Sequence, residues 1–220
     1  MKHFAFLIYF ISIASYSQYT QIPDSNFEQA LIDLGYDTVI DAQVLTANIS
    51  GITSLDVIDK NISDLTGVED FTALTDLDCS YNQLTSLDVT NNAALTVLNC
   101  SYNQLTSLDV INNINLTQLI CGANQLTSLD VSTNTALEIF WFFQNQLINI
   151  DLSNNTALSY LYAADNQLIS LDVSNNTALT GLRCYSNQLT SLDVRNGNNT
   201  LITEFFAMNS PDLTCILVDD

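Results

Sequence analysis

Two kinds of reactive side chain recur in this sequence at a step of 21 residues or a multiple of it, and the recurrence itself limits what each can do. Carboxylates stand at Asp88, Asp109, Asp130, Asp151, Asp172 and Asp193. Paired carboxylates serve as general acid and base only where differing surroundings push their pKa values apart, and a column of like positions offers no such difference. Neighbours ~5 Å apart repel by roughly 0.8 kcal/mol in water, so an offset is expected. It comes either from local N–H and hydroxyl donors at Ser86, Ser107 and Ser128 or from weakly bound calcium along the column. A calcium-binding β-roll needs a glycine-rich nonapeptide, and the chain has only 6 Gly. Thiols stand at Cys79, Cys100, Cys121 and Cys184, with Phe142 and Ala163 in the same column. Zinc ligands must converge on a point, whereas these run along a line, and exchange with Phe and Ala marks an apolar site. Buried free thiols are expected, with Cys215 off the column. The single histidine, His3, lies in the leader described next, so the mature chain holds no imidazole base. No enzyme activity, cofactor or metal centre is expected.

Residues 1–17 read as a signal peptide. Lys2 and His3 precede an apolar run from Phe4 to Ala14, and Ser15 and Ser17 supply small residues before a cut at Gln18. The run falls short of the ~20 residues that span a bilayer. Export to the exterior or the cell surface follows, without membrane insertion. Removing the leader leaves Lys60, Arg183 and Arg195 against 24 acidic residues. That field repels nucleic-acid phosphates and anionic headgroups, so partners should be neutral, basic or bridged by cations. A monomer is expected.

The element that positions these columns is the repeat. Asn82, Asn103, Asn124, Asn145, Asn166 and Asn187 mark its step, and one unit runs from Leu95 to Asn115 as "LTVLNCSYNQLTSLDVINNIN". It divides into halves of ten and eleven residues, each with apolar residues at alternate positions, Leu98 and Cys100, then Leu108 and Val110. Alternation over so short a span predicts a strand with one buried face. Stacked turns place like over like. Where the chain leaves a strand, its amides and carbonyls need partners, and an Asn carboxamide supplies donor and acceptor together. The Asn82 to Asn187 column is therefore a structural ladder, with Asn92, Asn113, Asn134, Asn155 and Asn176 its counterpart in the other half.

The pattern "LxxLxCxxNxL" resembles the leucine-rich repeat consensus over roughly residues 45 to 218. The stretch Asn61 to Leu84, "NISDLTGVEDFTALTDLDCSYNQL", is similar to internalin-type repeats, and the whole resembles secreted repeat proteins of the Bacteroidetes group. The resemblance implies a solenoid with a parallel β-sheet on its concave face and a protein-binding or adhesive role. The 21-residue unit departs from the internalin unit, so the other side is expected to carry short strands or 3-10 turns.

A solenoid needs its ends covered. Residues 18–44 read as an N-terminal helical cap, with Ser25 and Glu28 as a capping box, an apolar face of Phe27, Leu31, Ile32 and Leu34, and Gly35 as the stop. Residues 45–194 form the solenoid proper. Residues 195–220 break register at "RNGNNTL", with one strand half missing, and end without an evident cap or sorting module. A shortened product or another export route is expected from that.

Because the copies control for one another, positions that vary are those freed from stacking. The outward strand positions change from polar to aromatic along the chain, which brings Ile120, Ile139, Trp141, Phe143, Tyr160, Tyr162, Arg183 and Tyr185 into one expected exposed patch. Large exposed apolar patches mark binding sites, and Trp, Tyr and Arg are the hot-spot residues. The patch points to protein–protein interaction or adhesion. The alternative is a carbohydrate-binding module, since the same ring faces stack on sugars.

Overall fold

The computed structural model describes residues 18–220; the leader assigned to residues 1–17 lies outside them. The chain opens with β1 (Tyr19–Gln21), helix α1 (Ser25–Asp33) and β2 (Gln43–Leu45), which pairs antiparallel with β1. A short helix α2 (Thr46–Ile49) leads into the coils. Each turn then contributes one three-residue strand: β3 (Ser54–Asp56), β4 (Asp76–Asp78), β5 (Val97–Asn99), β6 (Gln118–Ile120), β7 (Ile139–Trp141) and β8 (Tyr160–Tyr162). From there strands alternate between two walls: β9 (Ser170–Asp172), β10 (Gly181–Arg183), β11 (Ser191–Asp193), β12 (Glu204–Phe206) and β13 (Ile216–Leu217). One wall is an eight-stranded parallel sheet in the order β3-β4-β5-β6-β7-β8-β10-β12; the other carries a three-stranded sheet, β9-β11-β13.

The strands are short because the alternating pattern leaves one inward residue between two outward ones before the chain turns at Asn. Register pairs Leu77 with Leu98, Leu98 with Leu119 and Leu161 with Leu182. That column is sealed from solvent, and each such residue stabilises the fold by about 1.5–3 kcal/mol. The thiol column lies beside it and is equally buried. Within that column bulky Phe142 is followed by small Ala163, both fully buried, so volume lost in one turn is filled from its neighbour. The far half forms strands only in the C-terminal turns. In earlier turns the inward Val89, Val110 and Val131 are buried just as well, but no ladder joins their neighbours.

The N-terminal cap corrects part of the expectation. Asp24, not Ser25, caps α1, its Oδ1 accepting from Asn26 N at 2.8 Å and Phe27 N at 3.1 Å. Its Oδ2 accepts from Ser63 N, Ser63 Oγ and Asp64 N, so the same carboxylate docks the helix on the first coil. Burial pushes its pKa up, but the bonds from Ser63, Phe27 and Asn26 outweigh that and hold it below the usual range. Glu28 forms no capping box. It is 1% exposed, and its Oε1 accepts from Asp41 N at 2.8 Å and Gln43 N at 3.1 Å, tying the following loop to the helix. Gly35 does end the helix, at φ 83°, with Gly35 N donating to Ile32 O and Tyr36 N to Leu31 O. The buried face is Phe27, Ala30 and Leu31, whereas Leu34 is exposed.

At the other end no strand is missing. Strand β12 pairs with β10 so that Arg183 meets Phe206, a step of 23 residues, and a 3-10 turn at Asn199–Leu201 takes up the two extra. Phe205 and Ile216 continue the inward columns of Leu182 and Leu192 but are 40% and 38% exposed. Among the described residues no helix is long and apolar enough to cross a membrane.

Candidate binding site on the strand wall

The central outward row of the eight-stranded sheet runs in register through Asp56, Asp78, Asn99, Ile120, Trp141, Tyr162, Arg183 and Phe206. Its first turns are held by polar caps. Asp78 Oδ1 accepts from Ser80 N at 3.0 Å and Ser80 Oγ at 2.6 Å, and Asn99 Oδ1 makes the same pair of bonds with Ser101. Asn99 Nδ2 also donates to Asp78 Oδ2 at 2.8 Å. At Ile120 the acceptor disappears, and the hydroxyl two residues on becomes Gly122.

Gly122 is what lets the rings begin. A Cβ there would stand 2.3 Å from Phe143 Cε1, so the Phe143 ring lies directly on the glycine. Phe143 stacks on Tyr162 at 4.7 Å between centroids, and Tyr102 meets its other side at 5.9 Å. Tyr81 stacks on Tyr102 at 4.2 Å and 10°, extending the row toward the N-terminal turns. Trp141 sits against Tyr160 at 6.1 Å and Tyr162 at 6.2 Å. Gly181 repeats the device, since a Cβ there would be 2.4 Å from the Tyr160 ring.

The polar tips of Tyr160, Tyr162 and Tyr185 are already committed, whereas Trp141 Nε1 is buried without a partner. Tyr160 OH donates to Glu204 Oε1 at 2.6 Å, and the Tyr162 and Tyr185 hydroxyls bond to each other at 2.8 Å. Burial, reinforced by those bonds, pushes the Tyr160 and Tyr162 phenols up to about 12, so both stay protonated at any physiological pH. Arg183 Nε donates to Glu204, and the guanidinium lies 5.3 Å from the Tyr162 ring centroid. Arg183 and the Tyr160 hydroxyl together hold the Glu204 carboxyl below its usual range. Between the two tyrosine groups a hollow of about 290 Å³ opens, lined by Tyr81, Tyr102, Ile120, Trp141, Phe143 and Tyr162, with Asn99 and Ser101 at its polar edge.

The eight residues singled out from sequence therefore share one wall, with three corrections. Phe143 is only 9% exposed and forms the floor of the patch, because Gly122 admits its ring. Arg183 does not offer a free charge, because Glu204 neutralises it. The other seven, with Ile139 and Tyr185 at the margins, are half-buried rather than exposed as expected. Tyr81, Tyr102, Glu204 and Phe206 were missed. Both tyrosines sit at φ 56° in the turn, outside the strand alternation, although "SYN" at Ser80–Asn82 and again at Ser101–Asn103 was a visible signal.

No family model matches the chain. Internalin J of Listeria monocytogenes serotype 4b (strain F2365) is 42% identical over 74 residues, which cover 32% of this chain and 8% of that protein. A leucine-rich repeat protein of Leptospira interrogans superposes with a TM-score of 0.66 at 21% identity, over 70% of this chain and 42% of that one. Internalin C2 of Listeria monocytogenes strain 4b F2365 gives a TM-score of 0.60 at 21% identity, over 93% and 99%. This is a leucine-rich repeat solenoid. Over the segment shared with Internalin J it is internalin-like, although it spans less than a tenth of that protein's length.

In the leucine-rich repeats the two asparagine columns serve the backbone unequally. Asn124 Nδ2 donates to Cys100 O at 3.0 Å and Cys121 O at 3.1 Å, and its Oδ1 accepts from Leu105 N at 2.9 Å. Asn82, Asn103, Asn145, Asn166 and Asn187 make matching bonds. In the other half Asn134 Nδ2 reaches Val110 O at 3.0 Å and Asn113 O at 2.9 Å, but its Oδ1 is buried without a partner. Asn92, Asn113, Asn155 and Asn176 share that orphaned oxygen.

The carboxylate column resolves differently from expectation. Asp88, Asp109, Asp130, Asp151, Asp172 and Asp193 each accept the amide N–H two residues on, at 2.9 to 3.1 Å, so the donors are not Ser86, Ser107 and Ser128. Bonds from Thr90, Ser132, Ser153 and Arg195 hold Asp88, Asp130, Asp151 and Asp193 below the usual carboxylate range. Among the described residues the acidic side chains that converge as a trio, with oxygens within 4.8 Å of one another, are Glu28, Asp37 and Asp41 in the cap, away from the column. The four column thiols are free and buried, and burial pushes Cys100 and Cys184 up to about 12; Cys215 is exposed.

Proposed function

We propose that the strand wall of this solenoid is the protein-binding surface of an exported, non-catalytic scaffold. The observation that carries the reading is the hollow at Trp141. Ring faces from several successive turns line it, while the hydroxyls and carboxamides around it are paired with one another. An apolar side chain inserted there gains burial without breaking a polar contact. A sugar needs several donors and acceptors to fix its hydroxyls, and here the tyrosine hydroxyls and the Asn99 carboxamide are engaged, leaving the buried Trp141 Nε1 as an unpartnered donor. The basic start and apolar run of residues 2–14 support export, and the chain's net charge of −20 argues against nucleic acid and anionic membrane as partners.

The test pairs the wild-type chain with a Trp141→Ala, Tyr162→Ala double variant in affinity capture of extracellular proteins and on a glycan array. Wild type should retain a protein that the variant loses, with both still melting cooperatively and the array blank. Glycan binding that vanishes in the variant would replace protein by carbohydrate as the ligand. Equal capture by both would remove the function from this wall.

A further inference from the structure

The aromatic stretch of the strand wall ends where carboxylates begin. Asp56 and Asp78 face outward in register on β3 and β4, and Asp76 lies in the adjacent outward row opposite Ser54. Asp78 is held by Ser80 and Asn99, and Asp56 Oδ1 accepts from Ile58 N at 3.1 Å. Asp76 has no hydrogen-bond or ionic partner, and partial burial with the charges of Asp78 and Asp56 pushes its carboxyl up. The ion pairs among the described residues involve Arg183 and Arg195, both in the C-terminal turns, and Lys60 joins none. One wall therefore presents an uncompensated negative end and a neutral aromatic end.

We infer that this wall takes an extended, basic and partly apolar segment of a partner protein, with a Lys or Arg over Asp56, Asp76 and Asp78 and a large apolar side chain in the hollow at Trp141. The inference rests on the protein-binding reading above and adds the partner's chemistry and polarity. Three strand steps separate Asp78 from Trp141, roughly 14 Å at the usual sheet spacing. An extended chain covers that in about four residues. The cationic end points toward the N-terminal cap. The charge of the whole molecule draws in any basic segment, but only the three wall carboxylates give it a place and a direction.

The probe is a displayed library of random peptides about a dozen residues long, selected on the folded chain, with the enriched sequences then synthesised. They should carry Lys or Arg about four residues from Trp, Phe or Leu. Asp56→Asn with Asp76→Asn removes two charges and keeps the Ile58 bond, since Asn99 caps Ser101 with the same atom. It should weaken binding about tenfold or more, as expected for loss of a close charge pair. The charge-matched pair Asp109→Asn, Asp130→Asn on the far wall should change it less than about threefold. Equal weakening by both pairs, or loss with Trp141→Ala, Tyr162→Ala but not with Asp56→Asn, Asp76→Asn, overturns the inference and leaves the apolar site standing. Indifference to all three variants, or no enrichment at all, overturns both.

Discussion

On the far wall Asp88 and its successors all point out from between an inward Leu or Ile and an inward Val or Leu, and all take the amide two residues on. On the strand wall the matching position changes from Asp78 and Asn99, which make that same bond, to Ile120, Trp141, Tyr162 and Arg183. The ladder alone does not decide the difference, because Asp172 and Asp193 stand on the paired strands β9 and β11 and still take the amide two residues on, as do Asp56, Asp78 and Asn99 on the eight-stranded sheet. What sets the strand wall apart is that from Ile120 onward the outward position gives up that bond and ring packing takes its place.

The largest expected effects come from the two asparagine columns. Asn124→Ala leaves Leu105 N without a partner inside the core, whereas Cys100 O and Cys121 O lose one bond each but keep the Nδ2 donors of Asn103 and Asn145. At about 1–3 kcal/mol for the orphaned amide and about 0.5–1.5 kcal/mol for each of the two other bonds lost, a loss of about 2–6 kcal/mol is expected. Asn134→Ala orphans neither carbonyl, since Val110 O and Asn113 O keep the N–H groups of Asn113 and Leu116, and it removes a buried, unpartnered oxygen, so it should cost about 1–2 kcal/mol less. Urea denaturation of the two variants measures both. Equal losses would show that the walls use their asparagines alike.

The solenoid was legible because stacking forces repetition: Leu77, Leu98 and Leu119 can lie over one another only if the chain writes them at one spacing. The candidate binding wall was legible for the opposite reason, as variation against that background. What escaped was set by contacts outside the repeat. Asp24 and Ser25 are both good capping residues one position apart, and what selects Asp24 is its second oxygen reaching Ser63, 39 residues away. Leu34 looked like part of the apolar face, but the helix ends at Asp33 and turns it to solvent. Glu204 was hidden by the two extra residues that displace the last strand, and with it the neutralisation of Arg183.

A smaller effect separates the walls at the residue two positions beyond the outward one. Gly122→Ala on the strand wall forces the Phe143 ring off its seat and away from Tyr162, at about 1–3 kcal/mol for an overpacked site. Ser132→Ala, the matching change on the far wall, keeps the amide that Asp130 accepts and should stay within about 0.5 kcal/mol. Near-ultraviolet circular dichroism should register the first change through the displaced rings and show nothing for the second. A silent Gly122→Ala would mean that the ring row tolerates a different floor.

The smallest effect is a pH dependence of opposite sign on the two walls. On the far wall, hydrogen bonds from Ser132 and Ser153 depress the Asp130 and Asp151 pKa values. Their stabilisation is complete above the unfolded carboxylate value near about 3.9 and fades as pH falls through the lower folded values. On the strand wall Asp76 is raised by burial and by Asp78 and Asp56. Its ionisation therefore opposes folding, and that cost sets in as pH rises from the unfolded value through the raised folded one. Thermal melts between about pH 2.5 and 7 should separate the two. Asp130→Asn with Asp151→Asn should flatten the loss on acidification, while Asp76→Asn should raise the melting temperature near neutrality and leave it unchanged in acid. If Asp76→Asn lowers stability at pH 7, that carboxylate has a partner within the chain, and the negative end of the wall is not waiting for one from outside.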